Sequence, residues 1–158
     1  PAPMKRNPIT PALLGVLLVA LQFALLAGLA LQAATGRAAG RLPIDAAIAA
    51  AAAVSLGVWA LSANRPGNFN IRPLPREGGH LVQHGPYRWI RHPMYTAVLL
   101  GAAAFTAADA QTWRIAAWIA LAAVLIAKAT REESCLLAAF PEYATYASRT
   151  KRFIPFVL

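Results

Sequence analysis

From Asn7 to Gly36 the chain carries no ionisable side chain, a run of 30 residues. A helix needs roughly 20 apolar residues to cross a bilayer, and in hydrocarbon it must satisfy its own backbone polar groups. The run therefore predicts a membrane-spanning helix at about 12–34. The rest of the chain repeats the pattern, with 58% hydrophobic and only 13% charged residues among 158, where a water-soluble domain carries about 25% charge. Lys5, Arg6, the apolar run and Ala30-Leu31-Gln32-Ala33 loosely imitate a secretory signal. The run is longer than the core of such a signal, and it is read as a retained span.

A second span is expected at about 44–64, with 19 uncharged residues between Asp45 and Arg65. Its alanines permit close helix approach. Pro66, Gly67, Pro73, Pro75, Gly78, Gly79, Gly85 and Pro86 then preclude a continuous helix. A connector of 27 residues, 65–91, is longer than ordinary, and its aromatics and histidines point to a folded functional loop. A third span starts near Pro93, a suitable first helical residue, and reaches about 108. Asp109-Ala110-Gln111 makes a tight turn. The fourth, about 112–130, has 13 uncharged residues between Arg114 and Lys128. Either these charges snorkel at its ends or the segment is not a simple span. Beyond Arg131, Leu136, Phe140 and Tyr143 recur at helical spacing, and Pro141 divides the tail into two short amphipathic helices within about 131–152. The expectation is one all-α integral membrane domain over 1–158, with four spans and a folded cytoplasmic loop.

The formal net charge of +9 is assigned to membrane headgroups rather than nucleic acid. With four spans, Lys5, Arg6, Arg65, Arg72, Arg76, Arg88, Arg91, Lys128, Arg131, Arg149, Lys151 and Arg152 share one side, against Arg37, Arg41 and Arg114 on the other. Basic residues collect in cytoplasmic loops and attract anionic lipid, so both termini are expected inside. Cys135 is the single cysteine, which excludes an intrachain disulfide. His80, His84 and His92 are surrounded by glycine and proline, and no metal site is expected. Nothing in the pattern specifies an oligomeric state.

Two segments are polar beyond what anchoring requires: residues 79–95 and Lys128-Ala-Thr-Arg-Glu-Glu133. In this topology both emerge on one face, beside the headgroups. Arg91 offers paired donors for an acidic group. Tyr87 and Trp89 offer flat faces, and Glu132 can accept from hydroxyls or an amine. Plainer readings stand beside these: positive anchors for Arg88 and Arg91, an interfacial aromatic belt for Tyr87, Trp89 and Tyr95, and ion pairs of Glu132 and Glu133 with Lys128 and Arg131.

The order Gly85-Pro-Tyr-x-x-x-Arg-His-Pro-x-Tyr95, Glu132-Glu133, Phe140-Pro-Glu-Tyr-x-x-Tyr146 and a basic end closing on Ile154-Pro155 resembles the isoprenylcysteine carboxyl methyltransferase family, to which phospholipid N-methyltransferases are related. The likeness covers about 64–156. It implies an integral membrane enzyme that uses S-adenosylmethionine without a soluble Rossmann fold and methylates a lipid-like or prenylated acceptor, at a carboxylate, on the cytoplasmic face. By the same resemblance Leu81, Val82 and Tyr87 line the cofactor pocket, His92, Pro93, Met94 and Tyr95 match a further contact stretch, and Glu132 matches a carboxylate that holds the cofactor. Lys128 stands where the family often has an arginine facing the substrate. The family's His-x-Leu-Val is altered, with Gly79 at the histidine position, so His80 either takes over that contact or the contact is lost. Arg91, Lys128 and Glu133 are the candidates for the reaction itself. A carboxylate acceptor is already ionised near neutral pH and needs no general base, whereas an amine acceptor needs one, from His84 or Glu133. The alternatives are an amine N-methyltransferase of the same architecture, an NADPH enzyme similar to sterol reductases, and a non-enzymatic scaffold that binds anionic lipid.

Overall fold

The computed structural model describes residues 9–35, 43–64, 80–108 and 111–157. The expected loop at 65–79 (with Gly79), the linker at 36–42, Asp109-Ala110, Lys5 and Arg6 lie outside them. Among the described residues five α-helices form: α1 (Ile9–Thr35), α2 (Ile44–Ala63), α3 (Pro93–Ala107), α4 (Thr112–Ala139) and α5 (Tyr143–Arg149). A 3-10 turn at Gly85–Arg88 precedes α3. The protein is a helical integral membrane protein. Helices α1, α2 and α4 are each long and apolar enough to cross a bilayer, and Leu13, Leu17, Val54, Val58 and Ile119 are more than half exposed along them, as suits lipid-facing side chains.

Helix α3 has 15 residues, about 22 Å at 1.5 Å per residue, shorter than the roughly 30 Å hydrocarbon core. Helix α4 is longer than its apolar stretch. It continues unbroken through Arg131–Ala139, where the sequence reading started a separate amphipathic helix. Nothing between Lys128 and Ala139 interrupts the backbone ladder, and the break falls at Phe140-Pro141 because proline disfavours a helical conformation in the residue before it.

The helices run alternately up and down. Ala53-x3-Gly57 of α2 meets Ala97-x3-Gly101 of α3 in reverse order. A β-carbon added at Gly57 stands 3.7 Å from that of Ala97, and one added at Gly101 stands 3.7 Å from that of Ala53. Small residues at this spacing let backbones approach closely where lipid gives no hydrophobic drive. Helix α4 returns antiparallel to α3. Trp118 Nε1 donates to Leu99 O at 2.9 Å, and Arg114 Nη1 donates to Phe105 O at 3.1 Å. Leu29 of α1 joins Ala102, Leu121 and Leu125 in the core.

Of the two readings of Arg114 and Lys128, snorkelling is excluded. Both are almost fully buried, at 2% and 1% exposure, and turn inward to protein partners. Arg114 meets a carbonyl in the last turn of α3, where a cation is favoured.

Candidate active site

The N-terminus of α3, the C-terminal third of α4 and the last residues of the chain meet at one end of the bundle. Pro93 starts α3 without a side-chain cap on His92. The preceding backbone is held instead by the tail. Arg91 N donates to Lys151 O at 2.7 Å, His92 N to Arg152 O at 3.0 Å, and Lys151 N to Trp89 O at 3.0 Å, forming a parallel bridge between Ile90 and Lys151. Thr96 Oγ1 adds a bond to Phe153 O at 2.8 Å.

Glu133 is the hub of this end. Its Oε1 accepts from Arg91 Nε at 2.8 Å and faces His92 Nε2 at 3.1 Å. Its Oε2 accepts from Arg152 Nε at 3.0 Å and Nη2 at 2.7 Å. Because an ionised carboxylate only accepts, the contact with His92 requires the proton on Nε2. Arg91 reaches further, with Nη1 donating to Ala147 O at 3.0 Å and to Thr150 O. Arg91 thus ties α3 to α4 and to the end of α5.

Glu132 has different surroundings. It accepts from the Tyr95 hydroxyl at 3.0 Å, and its side chain is 30% exposed against 10% for Glu133. His92 stacks on Tyr95, with centroids 5.3 Å apart and planes 2° from parallel, and leans on Phe153 at 5.8 Å. Lys128, one turn before Glu132, places Nζ 5.1 Å from the Tyr95 ring centroid and donates to Gln22 Oε1 at 2.5 Å.

Tyr87 is half-buried beside this pair. Burial first, and then the Glu132 charge, push its phenol up to about 12, against a hydrogen bond with Asn64 that lowers it. Its carbonyl accepts from the Tyr146 hydroxyl at 2.8 Å. Burial likewise raises the phenols of Tyr143 and Tyr146. Gly85 takes a φ of +59°, and a β-carbon there meets that of Ala63 at 2.7 Å. The left-handed conformation and the contact both select glycine where the turn crosses the end of α2.

Of the residues expected from the sequence, Arg91, His92, Tyr95, Lys128, Glu132 and Glu133 form one connected cluster, with Tyr87 at its edge. Val82 and Pro93 are buried, Leu81 and Met94 half-buried, and His80 and His84 exposed. Arg91 and Glu133, read as candidates for the reaction, are engaged with protein partners. The sequence reading missed Gln22, and it counted Arg152 only as a membrane anchor. A polar residue inside an uncharged span was the available signal for Gln22; nothing local marked Arg152 as a partner of Glu133.

A model of the isoprenylcysteine carboxyl methyltransferase family matches residues 46–139, from α2 through α4. The chain belongs to that family. The isoprenylcysteine carboxyl methyltransferase match thus contains the Arg91, His92, Tyr95, Lys128, Glu132 and Glu133 cluster, and leaves α1 and the tail outside. Two curated relatives are similar over 82 residues. One is the cobalt-zinc-cadmium resistance protein CzcN of Cupriavidus metallidurans, 40% identical over 51% of this chain and 38% of that protein. The other is the nickel-cobalt-cadmium resistance protein NccN of Alcaligenes xylosoxydans xylosoxydans, 39% identical with the same coverage. The chain thus spans about two-fifths of the length of these relatives.

Proposed function

We propose that this member of the family transfers a methyl group from S-adenosylmethionine to a carboxylate of a lipid-like or prenylated acceptor at the cytoplasmic membrane face. The observation that carries the reading is the Tyr95–Glu132 bond at 3.0 Å. It fixes the more exposed carboxylate of the pair at the mouth of the bundle, beside the half-buried ring of Tyr87. One oriented carboxylate next to an aromatic face and the apolar Leu81 and Val82 suits a cationic, hydroxyl-bearing, planar cofactor.

In this reading His80, Leu81, Val82, Tyr87, Met94, Tyr95 and Glu132 hold the cofactor, and His92 and Pro93 support them from behind. Held by these residues, S-adenosylmethionine would supply an electrophilic sulfonium methyl to the acceptor oxygen and would leave as the neutral thioether. No proton moves when that oxygen belongs to a carboxylate. The protein's contribution is then to orient and to exclude water. Lys128 holds the anionic acceptor, while Arg91 and Glu133 keep α3, α4 and the tail in register.

The engagement of Glu133 removes one of the two candidate bases for an amine acceptor and leaves only the exposed His84. A base must have a lone pair to offer, and both oxygens of Glu133 are occupied by cationic or imidazole donors. Four spans, with the basic loop and tail inside, agree with the distribution of lysine and arginine. The relatives' names suggest a setting for the reaction, in which a methylated membrane component serves resistance to divalent metal ions.

Titration of the detergent-solubilised protein with S-adenosylhomocysteine and, separately, NADPH tests the reading. At about 100 times its dissociation constant, a ligand of the folded state adds roughly 2.7 kcal/mol of stability. Stabilisation by S-adenosylhomocysteine alone, lost in Glu132→Ala, is expected. Stabilisation by NADPH instead, or by neither, removes it.

A further inference from the structure

Gln22 lies in the middle of the longest uncharged run of the chain, in a helix outside the matched family segment. An amide in hydrocarbon is costly unless it is hydrogen-bonded, and Gln22 is 7% exposed. It shares the buried stripe of α1 with Gly15 and Leu29, spaced by seven residues, so it faces α4 rather than lipid. There its Oε1 accepts from Lys128 Nζ, itself on a residue 1% exposed. Ionisable groups at this depth are rare and mark sites of function.

One turn on, the Glu132 carboxylate acts on the Lys128 charge, and the contact partners of the ammonium are an amide oxygen and the face of the Tyr95 ring. Both orient an ammonium without cancelling its charge, which a carboxylate at position 22 would do. One turn further on, Glu132 is held by Tyr95 toward the mouth of the bundle. The positive charge therefore stands between the carboxylate proposed to hold the cofactor and the Leu29, Leu121 and Leu125 core that joins α1 to α4.

We propose that Gln22 is a positioning residue: it holds the Lys128 ammonium, without adding a negative charge of its own, for the anionic head of a lipid-like acceptor. This rests on the methyl-transfer reading above and extends the site to a helix that the family match does not reach.

The protein in lipid nanodiscs, with radiolabelled S-adenosylmethionine, is offered two probes, N-acetyl-S-farnesylcysteine and oleate, and methyl ester formation is followed. Affinity for S-adenosylhomocysteine and thermal stability are measured alongside. Gln22→Leu is expected to raise the half-saturating concentration of the accepted probe about tenfold, as for a lost hydrogen bond to a charged group, with S-adenosylhomocysteine affinity unchanged. Gln22→Glu retains a partner for Lys128, so it is expected to keep wild-type stability and still lose affinity for the probe. Wild-type half-saturation in either variant overturns the proposal, as does loss of S-adenosylhomocysteine binding in both. Absence of methyl ester from both probes with the wild-type protein overturns the methyl-transfer reading itself.

Discussion

The imidazole of His92 stands between two consecutive carboxylates, with Nε2 3.1 Å from Glu133 Oε1 and Nδ1 3.7 Å from Glu132 Oε2. On a helix, neighbouring residues point about 100° apart, so beyond the shared His92 the two adjacent glutamates meet different surroundings. Glu133 faces the α3 terminus and the tail, where Arg91 and Arg152 close on it. Glu132 faces Tyr95 and is partly open to solvent. One is sealed among cationic partners, and the other is partly open to solvent.

Removing the Glu133 carboxylate leaves Arg91 and His92 without their shared acceptor at a buried position. Glu133→Ala is expected to destabilise the protein by about 3–5 kcal/mol, the cost of breaking a buried ion pair from one side. Glu133→Gln retains an acceptor oxygen and is expected to cost less. Thermal unfolding in detergent ranks the variants; equal stability of Glu133→Ala and wild type contradicts the hub.

Gly85→Ala meets two separate penalties. The φ of +59° costs a residue with a β-carbon about 1–2 kcal/mol, and the 2.7 Å approach to the Ala63 β-carbon adds to it. Combining it with Ala63→Gly is expected to remove only the second part. The double variant is therefore predicted to lie between Gly85→Ala and the single Ala63→Gly control in unfolding midpoint. Full recovery means that the backbone conformation imposes no cost.

Alkaline titration reports the burial of the tyrosines. The Tyr87 phenol is raised to about 12 in the folded protein, so between its ordinary value of 10 and that point the unfolded chain loses the proton first. The stability contribution is thus intact below about pH 10 and declines as the pH rises toward 12. Phenolate absorbance of the folded protein is expected to show Tyr87, Tyr143 and Tyr146 resisting ionisation at pH 10, with release on unfolding. Ionisation of all four tyrosines at that pH without unfolding contradicts their placement.

Much of the helical architecture was legible in the residues themselves. The uncharged run from Asn7 to Gly36 and the Ala-rich run before Arg65 mark α1 and α2, because the length of a span and its freedom from charge are local properties. Pro93 marks the start of α3 for the same kind of reason. The end of α4 was misread at Arg131, since a change from apolar to amphipathic sequence alters what a helix faces without stopping it.

The site was legible in part. The motif order brought Arg91, His92, Tyr95, Lys128, Glu132 and Glu133 forward together, and the structure joins them through hydrogen bonds, stacking and the Lys128–Tyr95 contact. Their partners were not legible. Gln22 and Lys128 are 106 positions apart, and Arg152 meets Glu133 only because the tail pairs with residues 89–92.

By itself the sequence determined a helical chain for a bilayer, with its polar chemistry gathered in two segments, because hydropathy and helix period are read over a few neighbouring residues. Only the tertiary structure decided which glutamate is sealed and which is open, what steadies the buried lysine, and how the tail closes the site. Those outcomes depend on side chains brought together by helix packing from distant parts of the chain, and no local pattern encodes which of them will meet.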